Sequence, residues 1–301
     1  MHEQDDATTI FETHRARLLR IAYRMLGSRS EAEDIVQNAW LRWVASDRKG
    51  VAAPYPFLAR VVTRLCLDEM KSARARRETY VGAWLPEPLI YTEDDSLEED
   101  DLTLTLMMAL ERLSPLERAA FLLHDVFGVP LGEVADALGR EAAAVRQLAV
   151  RARRNIQAAR PRFPIERKEG ERIARAFFAA STSGDTATLQ KLLAENAVLR
   201  SDGGGKVPAF INPITGLDRL LRLYQVAREK RGDVRTEFFE PVWIDGLPGY
   251  LSRERGDVLQ TTAFAIEDGR ITEIYVTRNP DKLRHIAEPL AARSDPAYRS
   301  Q

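Results

Sequence analysis

The chain of 301 residues contains a single cysteine, Cys66. One thiol forms neither a disulfide within the chain nor a cysteine-based zinc site, which favours a reducing compartment. No apolar run approaches the roughly 20 residues that a membrane-spanning helix needs. The acidic first six residues also lack the apolar core of a signal peptide. These absences predict a cytoplasmic protein without a membrane anchor.

The chain also lacks an overall excess of either charge, since its net charge is −1. The two signs are nevertheless segregated along the sequence. Arg140–Arg162 holds seven arginines and one acidic residue, whereas Glu93–Asp101 holds seven acids in nine positions. Opposite charge blocks indicate a basic surface for a polyanion and an acidic linker that such a polyanion repels.

Residues 8–168 have the apolar periodicity of helices. We expect Ser30 to cap the second helix and the third helix to begin at Phe57, after a break that contains two prolines. The proline-punctuated and acidic stretch at residues 79–101 is predicted to be a linker. Ser114 precedes a proline and, three residues on, a glutamate, which is the pattern of a capped helix start.

Residues 131–156 have the pattern of a helix-turn-helix. A short helix over 131–138 ends at Gly139, and a longer helix begins near Ala142. The longer helix places its apolar residues on one narrow stripe and carries almost no acid, unlike an ordinary surface helix. An exposed arginine-rich face on such a helix is what DNA reading in the major groove requires. Its opposite arc carries Arg146, Gln147, Val150, Arg151, Arg153 and Arg154.

After Pro164 the pattern changes to helices followed by β-branched strands. Asp245-Gly246 and Asp268-Gly269 are hairpin-type turn signals. We therefore predict a multidomain chain, with two all-α domains followed by an α+β domain that carries a curved antiparallel sheet.

Three segments of the helical part resemble extracytoplasmic-function (ECF) sigma factors of bacterial RNA polymerase. Residues 30–42, read SEAEDIVQNAWLR, resemble region 2.2, which binds the β′ clamp helices of the polymerase. Residues 57–77 resemble regions 2.3 and 2.4, which melt and read the minus-10 promoter element. Residues 114–118 and 144–154 resemble region 4, which reads the minus-35 element. The resemblance implies a sigma factor that binds core RNA polymerase, including its β flap, and promoter DNA.

The rest of the chain resembles a subgroup, the sigma-J-like factors with a SnoaL-like C-terminal domain. Three signatures match in order, namely WLPEP at residues 84–88, DGGGK at 202–206 and NPDKL at 279–283. The implied domains are region 2 at 6–78, a linker at 79–101, region 4 at 102–163, a cone-shaped α+β domain at 168–285 and a tail at 286–301. In this subgroup the C-terminal domain is thought to replace a separate anti-sigma factor.

The resemblance assigns the exposed arc of the longer helix, which begins near Ala142, to the minus-35 element. It also assigns three further sets of residues. The family often carries a small polar residue where this chain has Arg64. The minus-10 set is Arg60, Arg64, Asp68, Lys71, Arg74, Arg76 and Arg77. The polymerase-binding set is Asp34, Gln37, Trp40, Leu41 and Arg42. The regulatory interdomain set is Trp84, Pro86, Glu87, Asp202, Gly203, Gly204, Gly205, Lys206, Asn279, Pro280, Asp281, Lys282 and Leu283.

An enzymatic reading of the C-terminal domain stays open at this point. Relatives of this fold include cyclases and isomerases, so Asp202 could act as a general base and Lys206 could stabilise an oxyanion. Residues 164–284 contain no histidine, however, and the glycine loop lacks the spacing of a phosphate-binding loop. We expect no catalytic residue, no metal and no cofactor. A pairing of Lys206 with Glu87 would instead join the glycine loop to the linker.

Two other function classes share parts of this pattern. A repressor or activator that senses a small molecule in a C-terminal pocket would share the helix-turn-helix but would not need the polymerase-binding segment. A cyclase or isomerase fused to a DNA-binding module would turn over a ketone. A small-molecule ligand in the C-terminal pocket is compatible with the sigma-factor reading as well, provided that it binds two states of the protein with different affinities.

Overall fold

The computed structural model describes residues 2–46, 51, 53–91, 103–156, 165–231, 236–254 and 257–294. The chain divides into two compact units. The helical unit comprises Met1–Thr79 and Leu106–Arg160, and the α+β unit comprises Tyr80–Thr105 and Pro161–Gln301. No helix among the described residues is long and apolar enough to cross a membrane. The acidic run at 93–101 lies outside the described residues.

The helical unit begins with three long helices whose apolar faces pack together. A shorter set follows, and α5 continues into a π-helical turn at Leu122–Val126. Large side chains such as Trp43, Phe121 and Leu18 are fully buried in this unit. The helices are α1 (His2–Leu26), α2 (Arg29–Ala45), α3 (Pro54–Glu78), α4 (Leu104–Leu110), α5 (Pro115–Phe121), α6 (Leu131–Leu138) and α7 (Ala142–Ile156).

Two of the predicted helix starts are wrong by two or three residues. Ser28, not Ser30, is the N-cap of α2, because Ser28 has an extended backbone and its hydroxyl accepts a bond from the amide of Glu31 at 3.3 Å. Helix α3 begins at Pro54 rather than Phe57. Proline is tolerated in the first turn of a helix, where its missing N–H would have no intrahelical partner.

The start of α5 and the turn of the helix-turn-helix are confirmed. The Ser114 hydroxyl accepts a bond from the Glu117 amide, and the Glu117 carboxylate accepts one from the Ser114 amide, so both arms of the capping box form. The hydrogen bond from the Ser114 hydroxyl lowers the pKa of Glu117. Gly139 ends α6 in the left-handed conformation, with φ of 62°.

The α+β unit contains one mixed sheet and four helices among the described residues. The helices are α8 (Arg167–Ser183), α9 (Thr186–Leu192), α10 (Leu217–Arg231) and α11 (Arg284–Ser294). The strands are β1 (Ile90–Tyr91), β2 (Leu193–Asp202), β3 (Ile214–Thr215), β4 (Glu237–Ile244), β5 (Leu247–Glu254), β6 (Val258–Glu267) and β7 (Arg270–Thr277). Their order in the sheet is β1-β4-β5-β6-β7-β2-β3.

The hairpin turns are confirmed, but the sheet is not wholly antiparallel. Asp245-Gly246 and Asp268-Gly269 have positive φ at both positions, as a two-residue hairpin turn requires. Strands β2 and β7 pair in parallel, because helices α8 and α9 precede β2 and deliver it to the far side of the sheet. Strand β1, which comes from the predicted linker, pairs with β4.

The core of the α+β unit is built around aromatic side chains that lie between the sheet and helix α8. Phe264 is fully buried, and its ring centroid lies 4.8 Å from that of Phe177 on α8 and 5.9 Å from that of Tyr250 on β5. Aromatic pairs at these separations add to the free energy of burial. This cluster therefore fixes α8 against β5 and β6.

Replacing Phe264 with Ala should lower the free energy of unfolding of the α+β unit by about 3–5 kcal/mol, because the change leaves a cavity in the core. The control is Phe210→Ala in the same unit, which should change that free energy by less than about 0.5 kcal/mol, since Phe210 is 41% exposed. Native-state hydrogen exchange of β6 measures both values. Equal effects of the two substitutions would contradict the packing described here.

Candidate functional site

Helix α7 presents two opposite faces. Val145, Leu148, Ala149, Ala152 and Ile156 are buried against the helical unit. The predicted DNA-reading arc faces solvent, and Val150 is 44% exposed. All six of its side chains are exposed, namely Arg146, Gln147, Val150, Arg151, Arg153 and Arg154. Their DNA contacts stay a prediction, but the accessibility that such contacts require is present.

Two arginines of this arc already form ion pairs within the helical unit. Arg151 lies 3.2 Å from the carboxylate of Glu117, and Arg153 lies 2.5 Å from that of Asp125. These pairs fix the side chains at the edge of the arc. Arg146 and Arg154 form no ion pair within the part of the chain that the structure describes. Arg146 and Arg154 therefore need not break an ion pair with a described residue to bind a polyanion.

Helix α3 carries the predicted minus-10 residues on a partly exposed face. Arg64, Asp68 and Lys71 are exposed, and Arg60 is half-buried with its guanidinium 5.9 Å from the Phe57 ring. Lys71 donates a hydrogen bond to Asp68 at 2.8 Å, which with its positive charge lowers the pKa of that carboxyl. The side chains of Arg74, Arg76 and Arg77 lie outside the described residues.

The predicted polymerase-binding residues share one side of α2. Asp34, Gln37, Leu41 and Arg42 are exposed, and Leu41 stands out as an apolar side chain that is 57% exposed. Trp40 is half-buried, because its ring packs edge-on against Phe11 of α1 at 5.1 Å. An exposed leucine among polar neighbours is compatible with a protein-binding surface.

The predicted linker is integrated into the α+β unit. Residues 85–88 are buried, and Leu85 is fully inaccessible to solvent. A buried loop must find partners for its polar groups. The partners come from the ends of β2 and β7, from α11 and from the turn between β4 and β5.

Asp202 is the centre of this arrangement. It is fully buried at the end of β2, yet its carboxylate has four partners. The carboxylate accepts hydrogen bonds from the Leu85 amide at 2.9 Å, from the Tyr80 hydroxyl at 2.5 Å and from the Gly204 amide at 3.0 Å. Lys282 forms an ion pair with it at 2.7 Å. The two linker groups thus bind the same carboxylate as the glycine loop and the NPDKL segment.

Tyr80 and Lys282 complete the cluster around Asp202. Burial and the hydrogen bond to Asp202 raise the pKa of Tyr80, so its hydroxyl remains a donor. The Asn279 side-chain amide donates to the same hydroxyl at 2.8 Å. Lys282 also donates to the Leu85 carbonyl, and its ammonium lies 4.3 Å from the centre of the Trp84 ring.

The glycine loop is shaped by this cluster as well. Gly204 has φ of 62°, and a Cβ there would lie 2.3 Å from the Asn279 side chain. A Cβ on Gly203 would lie 2.3 Å from the Val207 carbonyl. Glycine is therefore needed at both positions for close approach.

The pairing of Lys206 with Glu87 is wrong. Lys206 forms its ion pair with Asp281 at 2.5 Å, and both side chains are about half exposed. Glu87 is buried and lies 3.3 Å from the Nδ1 of His285, whose Nε2 is 2.9 Å from the Pro88 carbonyl. It is Lys282, not Lys206, that reaches the linker, since its ammonium binds both Asp202 and the Leu85 carbonyl.

A second attachment of the linker was not predicted from the sequence. The buried carboxylate of Asp245 accepts a hydrogen bond from the Leu89 amide, and the Asp245 amide donates to the Leu89 carbonyl. The Leu104 amide donates to the Asp245 carbonyl at 2.9 Å. In the sequence, Asp245 belongs to a hairpin-turn pattern. The presence of Asp rather than Asn at this position was the one indication of a contact with the linker. The linker is thus held at both of its ends.

This geometry leaves no free catalytic base at Asp202. Its oxygens are occupied by a lysine, a tyrosine and two amides, and solvent does not reach it. The described residues contain no group of three or more His, Cys, Asp or Glu side chains that could hold a metal ion. These contacts join the linker, the glycine loop and the segment at residues 279–283.

Two family models match the helical unit. The model of Sigma-70 region 2 matches residues 10–76, and that of Sigma-70 region 4 matches residues 103–156.

Relatives match almost the whole chain. The ECF RNA polymerase sigma factor SigJ of Mycobacterium tuberculosis is 37% identical over 290 residues, which cover 90% of this chain and 91% of SigJ. The probable ECF RNA polymerase sigma factor SigI of the same species is 32% identical, with 97% and 98% covered. The crystal structure of M. tuberculosis SigJ superimposes with a TM-score of 0.74 at 32% identity, over 92% of this chain and 98% of that one.

Replacing Arg154 with Ala should weaken binding to duplex DNA of any sequence. If Arg154 contacts a phosphate, the slope of log K against log salt concentration should become shallower by about 1. Fluorescence anisotropy on a random-sequence duplex at several salt concentrations measures this slope. Arg219→Ala, an exposed arginine on α10, is the control and should leave the slope unchanged. An unchanged slope for Arg154→Ala would remove this residue from the interface.

Proposed function

This chain belongs to the ECF sigma factors of RNA polymerase, and we propose that its C-terminal α+β unit regulates it by holding the linker between its two promoter-reading regions. The protein is a transcription initiation factor. Its sigma regions 2 and 4 bind core RNA polymerase and direct it to specific promoters. A factor with these partners acts in the cytoplasm.

The individual residue roles are part of the proposal. The exposed arc of α7 reads the minus-35 element, with Arg146 and Gln147 at base edges and Arg154 at a phosphate. Arg64, Asp68 and Lys71 on α3 lie near the minus-10 element. Leu41 and its polar neighbours on α2 bind the β′ clamp helices. What supports these roles is that each set lies exposed on one helix face.

The observation that carries the regulatory proposal is the attachment of the linker to Asp202. The chain leaves region 2 at Tyr80, and residues 80–105 belong to the α+β unit before region 4 begins. A free segment of roughly 25 residues could extend to about 85 Å. While its two ends are bound near Asp202 and Asp245, the same segment cannot extend to that length. The C-terminal unit thereby restricts the distance that the two regions can reach.

A restraint within the same chain needs no separate inhibitor. We therefore propose that this factor works without an anti-sigma protein. The C-terminal unit has no catalytic role in this account, since its buried carboxylates bind the linker. A small molecule that binds the C-terminal unit would alter activity only by favouring the bound or the released linker.

Replacing Lys282 with Met should raise promoter-specific transcription. The change leaves the buried Asp202 without its cation, and breaking a buried pair in this way costs about 3–5 kcal/mol. That cost favours release of the linker, and we expect the yield to rise by at least about tenfold, which requires only about 1.4 kcal/mol of it. The measurement is transcript yield in vitro with bacterial core RNA polymerase, on promoters selected from a library.

The control is Lys206→Met, which removes the same charge from the exposed pair with Asp281 and should leave the yield unchanged. Unchanged or lower yield with Lys282→Met, at normal binding to core polymerase, would contradict a restraint through the linker. If the wild-type chain neither binds core polymerase nor gives transcripts, the residue roles proposed above fail as well.

A further inference from the structure

Two carboxylates of sigma region 4 lie against the helix that carries the predicted DNA-reading arc. Glu117 at the start of α5 pairs with Arg151 at 3.2 Å, and Asp125 pairs with Arg153 at 2.5 Å. In both pairs a carboxylate oxygen contacts the Nε atom of the arginine. A guanidinium carries five N–H donors, and only one of them is on Nε. Each arginine can therefore bind an anion through its Nη atoms while its Nε stays paired.

The Glu117 carboxylate is itself held in place. Its Oε2 atom accepts hydrogen bonds from the Ser114 amide at 3.0 Å and from the Ser114 hydroxyl at 2.8 Å. Its Oε1 atom is the one that contacts Arg151. The capping box at the start of α5 thus orients the oxygen that holds the arginine. A local signal that begins one helix therefore also sets the direction of a side chain on α7.

Asp125 is placed by the π-helical turn that follows α5. The Phe127 amide donates to the Leu122 carbonyl at 2.9 Å, which is the wider spacing of a π-helical hydrogen bond. Such turns are frequent at functional sites. Asp125 is only 15% exposed, whereas its partner Arg153 is 48% exposed. The acid is thus largely covered by the protein, and the cation is accessible to a ligand.

The two paired arginines lie on opposite flanks of the DNA-reading arc. Successive residues of an α-helix are rotated by about 100°, so Arg151 and Arg153 lie about 160° apart around the axis of α7. Arg146, Val150 and Arg154 lie between them, on the side opposite the buried stripe. A helix with side chains measures about 10–12 Å across, and the major groove is about 12 Å wide. A helix that fills this groove turns its middle to the base edges and its flanks to the two phosphate backbones.

Stability does not account for these two acids. Ion pairs with half-exposed partners contribute little to folding, because water solvates the separated charges as well. A carboxylate beside a DNA-binding face also repels phosphates. Their favourable effect is on the conformational freedom of the arginines. An arginine that is already oriented loses less entropy when it binds a phosphate, and it binds in one geometry.

We propose that Glu117 and Asp125 are positioning residues for promoter recognition, which hold Arg151 and Arg153 towards the phosphates on the two sides of the minus-35 major groove. The proposal rests on the proposed role of α7 as the helix that reads this element. The two oriented cations meet phosphates of both strands only when α7 lies centred in the groove. Phosphate contacts of this kind fix the register in which the middle of the arc reads the bases. The carboxylates act through the arginines and do not themselves contact DNA.

The test uses the full chain bound to core RNA polymerase. It compares the affinity for a promoter selected from a library with the affinity for the same duplex carrying a scrambled minus-35 element. Fluorescence anisotropy competition at one fixed salt concentration gives both values, because affinity for DNA depends strongly on salt. The ratio of the two affinities measures recognition of the minus-35 element.

Glu117→Gln should lower this ratio about tenfold, which corresponds to about 1.4 kcal/mol. The change keeps the capping box, in which Gln also serves at this position, but removes the charge that holds Arg151. The affinity for the scrambled duplex should stay the same or rise, since an acid that repels phosphates is lost. Asp125→Asn should act in the same way through Arg153.

Two further variants separate orientation from loss of charge. Glu133→Gln removes the same charge from an exposed acid on α6 and should leave the ratio unchanged. Repulsion of phosphates is independent of sequence, so any change in affinity should be equal for both duplexes. Arg151→Ala should lower the ratio about as much as Glu117→Gln. The double variant should lower it no further than Arg151→Ala alone, because the two residues act as one unit.

Three results would overturn the inference. They are an unchanged ratio for Glu117→Gln, an equal loss of affinity for both duplexes, and a double variant that loses more than Arg151→Ala does. In each case a wild-type complex that distinguishes the two duplexes leaves the role of α7 intact, so that only the inference fails. A wild-type complex that binds both duplexes equally refutes the proposed role of α7, and with it the inference.

Discussion

The burial of the Asp202 carboxylate is the constraint on which much of the α+β unit depends. A buried charge is tolerated only when a counter-charge and hydrogen-bond donors surround it. Here the donors come from three separate stretches of chain, namely the linker, the glycine loop and the segment that follows β7. One carboxylate therefore requires Leu85, Gly204 and Lys282 to be present together. The three sequence signatures lie far apart in the chain, yet they make a single site.

Contacts of two kinds involve the two sigma regions and the chain between them. In the α+β unit, Asp202 and Asp245 hold the chain that connects the regions. In the helical unit, Arg64 and Arg17 each donate to a main-chain carbonyl of region 4. Several of these contacts are charged or polar bonds. Such bonds weaken when water or another charged partner competes for them, as core polymerase and DNA would.

Local structure was largely predictable from the sequence, because local signals determine it. The capping box at Ser114, the turn at Gly139 and the hairpin at Asp268-Gly269 each depend on residues within a few positions. Pairings between distant segments were not predictable in detail. Lys206 and Lys282 both lie in matched signatures, and only the fold decides which of them reaches the buried carboxylate of Asp202. Strand β1 has two residues and no periodicity to indicate it.

We propose that the C-terminal unit holds the linker in the free protein and releases it for transcription. Hydrogen exchange of the amides of Leu85 and Leu89 tests this most directly, since both amides donate to buried carboxylates. We predict slow exchange in the free protein and fast exchange in the complex with core polymerase and promoter DNA. Fast exchange in the free protein, or unchanged slow exchange in a transcribing complex, would contradict the account.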